Sequence, residues 1–167
     1  MASRPRAPAA ALREQGLAVI TADDERWLHC DIKSVSLLGN VLAKQAAVDA
    51  GAAECMMFRD GILTEGSSSN IWVVRNGRVL GSPVNHLVLE GIRVGLLAEL
   101  CARCGLDYEL RRVPREEVLL ADELMLTSAT REILPITQVD GAPVGNGRPG
   151  PVYQRLIEAY QAATREA

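Results

Sequence analysis

Aromatic residues are scarce in this chain: one Phe, two Trp and three Tyr, 4% of its 167 residues. So few rings cannot lay out a stacking platform for bases, and a net charge of −3 carries no nucleic-acid footprint. Histidine occurs twice and cysteine four times, at positions 30, 55, 101 and 104. Cys101 and Cys104 form a CxxC, yet no second pair completes a metal site. They fall in the apolar stretch IRVGLLAELCARC, where a free thiol packs as a small hydrophobe. No apolar run approaches the roughly 18 residues of a membrane span. No secretory apolar region follows the early arginines, which leaves the cytoplasm as the default address. A Gly-rich dinucleotide fingerprint, a P-loop and internal repeats are also absent.

What remains is an ordinary globular composition, 48% hydrophobic and 23% charged, on a chain long enough for one domain with a tail. Pro5 and Pro8 among alanines read as a linker, so residues 1–15 are expected to be a linker or disordered tail and 16–167 the folded domain. Leu17–Thr21 reads as a strand and Arg26–Cys30 as a weaker one. Leu37, Leu38, Val41, Leu42 and Ala46 recur at helical spacing in a stretch that opens at Ser34 and stops at Gly51. Strands follow at Glu54–Arg59, Ile62–Glu65, Asn70–Arg75 and Arg78–Gly81, with tight hairpins marked by Asp60-Gly61 and Asn76-Gly77. A helix over Gly91–Cys104, a strand over Asp107–Val113 and a short helix opened by Pro114 come next. Strands at Glu123–Thr127 and Ile133–Val139, a turn-rich Gly141–Gly150 and an amphipathic helix VYQRLIEAYQAA complete the chain. Hairpins followed by alternating helix and strand argue for an α/β, mixed α+β fold rather than a regular doubly wound sheet.

Four places could carry chemistry. Lys33 lies between a strand and an apolar helix, beside Ile32, Val35 and Leu37. Desolvation there would make its amine a nucleophile toward carbonyls, but a surface lysine or a partner of Asp31 explains the spacing equally simply. Glu65 opens E-G-S-S-S-N, a polar loop able to hold a cationic nitrogen or to be a plain turn. Gly91-Ile92-Arg93 begins a helix, whose free N–H groups suit an anion, although most helix starts bind nothing. Ser128, Ala129 and Thr130 supply hydroxyl and N–H groups at a strand end, or a capped loop. Together, one amine, one carboxylate and two anion-friendly loops make the set that pyridoxal phosphate requires.

The blocks RWLHCDIKSVSLLGNVLAKQAA, LTEGSSSN, LEGI and ELMLTSATREILPI, then VDG, carry a resemblance in their order and spacing. From about Leu17 to the C-terminus the chain resembles the class IV aminotransferases, the fold-type IV enzymes dependent on pyridoxal 5'-phosphate, and among them the D-amino-acid aminotransferases. The resemblance implies the large C-terminal domain of that fold, a mixed-sheet pseudo-barrel flanked by helices. It implies transamination between an amino acid and a 2-oxo acid, in a homodimer without metal or membrane. Lys33 is similar to the Schiff-base lysine that also shuttles the proton, and Glu65 to the partner of the pyridine nitrogen. Leu89 resembles the residue packed behind the ring. Ile92 and Arg93 resemble the helix start that binds phosphate, and Ser128, Ala129 and Thr130 its second phosphate loop.

Departures narrow the likeness. Where the family often has threonine, this chain has Arg93 and Ala129. Ser36 and Leu37 stand where branched-chain aminotransferases usually carry an asparagine–tyrosine pair, and the run typical of aminodeoxychorismate lyase is missing. Family members also carry a small N-terminal domain, which supplies an arginine to the phosphate and side chains to the substrate. On this likeness the chain is the large domain alone. The alternatives are a branched-chain aminotransferase or aminodeoxychorismate lyase relative, or a catalytically incomplete cofactor-binding or oligomerisation domain.

Overall fold

The computed structural model describes residues 9–166. Their strands are β1 (Leu17–Asp23), β2 (Glu54–Arg59), β3 (Ile62–Gly66), β4 (Asn70–Arg75), β5 (Arg78–Gly81), β6 (Tyr108–Leu110), β7 (Glu123–Ser128), β8 (Glu132–Val139) and β9 (Ala142–Pro143). The helices are α1 (Ala9–Gln15), α2 (Leu38–Asp49), α3 (Arg93–Arg103), α4 (Arg115–Leu119) and α5 (Pro151–Glu166). One mixed sheet runs β3-β2-β1-β8-β7-β4-β5-β6, with β9 added to β8. β3 and β4 are consecutive in the chain yet stand five places apart in the sheet. The short Ser67–Ser69 link between them, closed by Gly66 N–H on Ser69 O at 2.7 Å, therefore curls the sheet into a half-barrel.

Two-residue periodicity assigns every strand two faces. Leu17, Val19, Met56, Phe58, Ile71, Val73, Leu124, Leu126, Leu134 and Ile136 point into the curl and form the largest core. The alternate residues Trp72, Val74, Met125 and Ile133 pack outside it, under α3 and α5. Cys101 belongs to this outer core, with Cys104 against it, and the described cysteines are all free thiols. Cys55 and Met57 meet Ala47 of α2. Glu123, buried at the start of β7, caps α5 with both carboxylate oxygens, each 2.9 Å from the N–H of Val152 or Tyr153. Both expected hairpins form, with positive φ at Asp60 (51°), Gly61 (72°), Asn76 (51°) and Gly77 (75°), the signature of a two-residue turn that matches strand twist.

Several expectations are corrected. The tail read over 1–15 is helical from Ala9 to Gln15; residues 1–8 lie outside the described part. Alanines are the best helix formers, and α1 is docked by Leu12 on the inner core and by an ion pair between Arg13 and Glu132. Arg26–Cys30 is loop, not strand: Trp27 and Leu28 are half exposed, and the Cys30 N–H goes to His86 O at 2.7 Å rather than to a ladder. The helix expected from Ser34 starts at Leu38, because Ser34–Leu37 is held in local turns. The strand over Asp107–Val113 shrinks to Tyr108–Leu110. Among the described residues no helix is long and apolar enough to cross a membrane.

Candidate functional site

A cavity of about 640 Å³ opens where the segment after β1, the Ser67–Ser69 link, the start of α3 and the β7–β8 loop meet. Lys33, Glu65, Leu89, Ile92, Arg93, Ser128 and Ala129 all line it; Thr130 adjoins it without lining it. Its volume lies in the range of small-ligand sites.

Lys33 is carried on the loop between β1 and α2. The desolvation expected from its apolar neighbours is not found. Lys33 is exposed, as are Ile32, Val35 and Leu37. Its amine makes no hydrogen bond or ion pair among the described residues, Asp31 included. The loop itself is fixed from both ends. Cys30 hangs from His86 O, and Asn40 Nδ2 donates to Ser67 O at 3.0 Å.

The deeper anchor is Arg26, a residue that sequence reasoning missed. Its Nη1 donates to Glu65 Oε1, its Nη2 and Nε to the two oxygens of Asp24 at 2.7 and 2.9 Å, and Nη2 also to Leu87 O at 3.2 Å. Thr64 Oγ1 donates to Asp24 Oδ2 at 2.8 Å, and Arg59 pairs with Asp24 at 3.2 Å. Burial would raise the Asp24 carboxyl, but the Arg26 hydrogen bonds and charge, with Thr64, bring it down to about 2. Glu65 goes the other way. Burial pushes it above the usual carboxylate range, and the charge and hydrogen bond of Arg26 and the Leu89 N–H only partly pull it back. Its Oε2 receives one long contact, 3.4 Å from Asn70 Nδ2. Glu65 is thus a buried carboxylate with spare acceptor capacity on the cavity wall. The signal for Arg26 was the D-x-R spacing of Asp24 and Arg26.

The serine link has its own buried support, also missed. Ser67, Ser68 and Ser69 all donate their hydroxyls to Glu54, with Ser68 at 2.9 Å and Ser69 at 3.3 Å. Glu54 is fully buried, with Lys44 and Arg131 as cationic neighbours. Gly91 faces Asn70 so closely that a Cβ there would fall 2.2 Å from Asn70 Oδ1.

At the far edge, the backbone N–H groups of Ile92, Arg93, Ala129 and Thr130 donate to no group among the described residues. The first N–H groups of a helix have no intrahelical partner, so two of the four are explained by α3; the other two belong to the β7–β8 turn. The Arg93 side chain points to that turn, donating to the Ser128 and Ala129 carbonyls at 2.7 and 3.2 Å. The cavity therefore joins an amine, a carboxylate and a cluster of free N–H donors.

Comparison with known proteins identifies the family and the fold. The profile of the amino-transferase class IV family matches residues 2–139. The D-alanine aminotransferase of Bacillus licheniformis is 45% identical over 149 residues, 89% of this chain and 53% of that protein. That of Staphylococcus epidermidis is 38% identical over 89% of this chain and 52% of its own length. A solved branched-chain amino acid aminotransferase from Thermobaculum terrenum, in its PLP form, superposes with a TM-score of 0.84 at 28% identity, covering 96% of this chain and 54% of that one. The chain thus spans about half the length of the curated relatives it matches. By profile, sequence and fold it belongs to the class IV aminotransferases.

Proposed function

We propose that this chain is the cofactor-binding domain of a pyridoxal-phosphate-dependent aminotransferase that exchanges an amino group between a small D-amino acid and a 2-oxo acid. One observation carries the reading: the unpaired Lys33 amine, the Glu65 carboxylate and free backbone N–H groups share one cavity. That donor set fits the cofactor. An aldehyde asks for an amine, a pyridine nitrogen for an acid partner, and a phosphate for N–H donors.

When bound, pyridoxal phosphate supplies an electrophilic carbon and a ring that withdraws electrons from the reacting carbon. The protein does the rest. Lys33 would hold the cofactor's aldehyde carbon and, as a free amine, would be the group that takes up and gives back the substrate's proton. Glu65 holds a proton on the ring nitrogen, with Arg26 fixing the carboxylate from behind. Leu89, on the cavity wall, would back the ring. Ile92, Arg93, Ala129 and Thr130 offer N–H groups to the phosphate, with Ser128 at the root of the second loop. The D-amino-acid preference rests on the D-alanine aminotransferases among the relatives and on Ser36 and Leu37 in place of an asparagine–tyrosine pair. A branched-chain or aminodeoxychorismate-type substrate is the alternative.

A second reading has its own support. Apolar residues on α2 and on the turn before it are open to solvent: Val35 is 97% exposed, Leu38 71% and Leu42 59%. We infer that a second copy of this chain covers them, in a homodimer. On this reading the chain can be a cofactor-binding, oligomerising domain without turnover.

Mixing the protein with pyridoxal phosphate, reducing with borohydride and mapping the adduct separates these readings. Label on Lys33 with D-alanine/2-oxoglutarate turnover supports the first, and label without turnover the second. A Lys33→Ala variant that gains the same adduct overturns both.

A further inference from the structure

We propose that Arg93 is a positioning residue that shapes the phosphate-binding edge of the cavity by bracing its two lips, without itself gripping the phosphate through its side chain. The proposal rests on the cofactor reading above and deepens it. Arg93 sits at the first turn of α3, and its guanidinium crosses to the opposite lip. Nε donates to Ser128 O at 2.7 Å and Nη2 to Ala129 O at 3.2 Å. Nη1 donates to Tyr160 Oη of α5 at 3.0 Å, and the guanidinium carbon lies 5.3 Å from the Tyr160 ring centre. One side chain therefore ties α3, the β7–β8 turn and α5 together.

The consequence follows from peptide planarity. The described peptide bonds are all trans. In a trans peptide the carbonyl of one residue and the N–H of the next point in opposite directions. Holding the Ser128 and Ala129 carbonyls on Arg93 turns the N–H groups of Ala129 and Thr130 away from it. Those are the two turn N–H groups that donate to nothing among the described residues. Arg93 thus fixes the planes of the two peptides whose donors the anion needs. It occupies the position where the resembling family often has a threonine hydroxyl, and the brace takes over by indirect means what that hydroxyl would do by contact. Lysine cannot replace it, because a point charge with rotatable donors does not span two carbonyls and a phenol in one plane.

The test uses Arg93→Met, Arg93→Lys and Tyr160→Phe in the full chain. Amide exchange at Arg131, whose N–H donates to Ser128 Oγ at 3.1 Å, measured without added cofactor, should speed up about tenfold in Arg93→Met, as expected when the charge-assisted hydrogen bonds that hold the turn are lost. Affinity for pyridoxal phosphate should fall about tenfold, while affinity for pyridoxal, which lacks the phosphate, stays at the wild-type value. Arg93→Lys should resemble Arg93→Met, and Tyr160→Phe should show a smaller effect in the same direction. Unchanged exchange, full recovery in Arg93→Lys, or equal losses for the two vitamers would each overturn the brace. A wild-type chain that binds no pyridoxal phosphate, with exchange still altered in Arg93→Met, would instead bring down the cofactor reading and this role with it.

Discussion

Arg26 binds Glu65 through Oε1 only and leaves Oε2 with a single long contact. The guanidinium also neutralises Asp24, so two buried carboxylates depend on one cation, with Arg59 on Asp24 alone. Arg26→Met should cost about 3–5 kcal/mol near neutrality, the penalty for stripping the partner from a buried ion pair. The loss should shrink in mildly acidic buffer, where an unpaired Glu65 takes up a proton. Urea unfolding of both proteins at several pH values measures this.

Asp24 contributes to the acid sensitivity of the fold. Its carboxyl lies at about 2 in the folded chain against 3.8 ordinarily. A lowered value means that stability is fully present above 3.8 and drains away as the pH falls toward 2, about 2 kcal/mol in all. Glu65 has the opposite sign. Its raised value favours the folded chain as it protonates, so stability rises slightly on first acidification. Unfolding free energy should therefore climb and then fall as the pH is lowered, and Asp24→Asn should make the fall shallower, leaving the share that comes from Glu117, lowered by Arg111.

Glu54 holds the serine link by three hydroxyls. Glu54→Ala leaves those hydroxyls without their acceptor and removes the counter-charge near Arg131, at a cost of about 2–3 kcal/mol. Because Gly66 and Ser67 also line the cavity, affinity for pyridoxal phosphate should drop as well. Thermal melts and a binding titration on the one variant check both effects.

The open face of α2 can be tested without disturbing the core. Leu38→Glu with Leu42→Glu changes side chains that are already exposed, so melting should move little. Sedimentation should shift toward the monomer. An unchanged oligomer distribution would place the contact elsewhere.

Strands and hairpins were legible because their signals are local. Asp60-Gly61 and Asn76-Gly77 need only their own φ values, and the short apolar run of β4 suits a strand that is buried on both faces. The site was legible as a set of residue types, since Lys33, Glu65, Leu89, Ile92, Arg93, Ser128 and Ala129 do line one cavity. Its energetics were not. The bonds from Arg26 to Glu65 and from Ser67 to Glu54 span 39 and 13 residues, and nothing in a linear string aims one side chain at the other. RWLHC carries strand-like residues, but its backbone has no ladder to join. The spacing of Leu38, Val41 and Leu42 correctly announced a helix, yet a periodic apolar stripe does not say whether its cover lies within the chain. The helical Ala9–Gln15 was hidden by the prolines that precede it.

β1 sits between β2 and β8, parallel to both, and Thr21 bonds Asp140 across 119 positions. During synthesis, β1 leaves the ribosome long before its second neighbour exists, and its open edge must wait for a late arrival. Such distant pairing slows folding to the millisecond-to-second regime of non-local topologies. It also leaves the first strand's free edge available to other nascent copies until β8 docks. The pace of translation between β1 and β8 should therefore change the yield of folded protein.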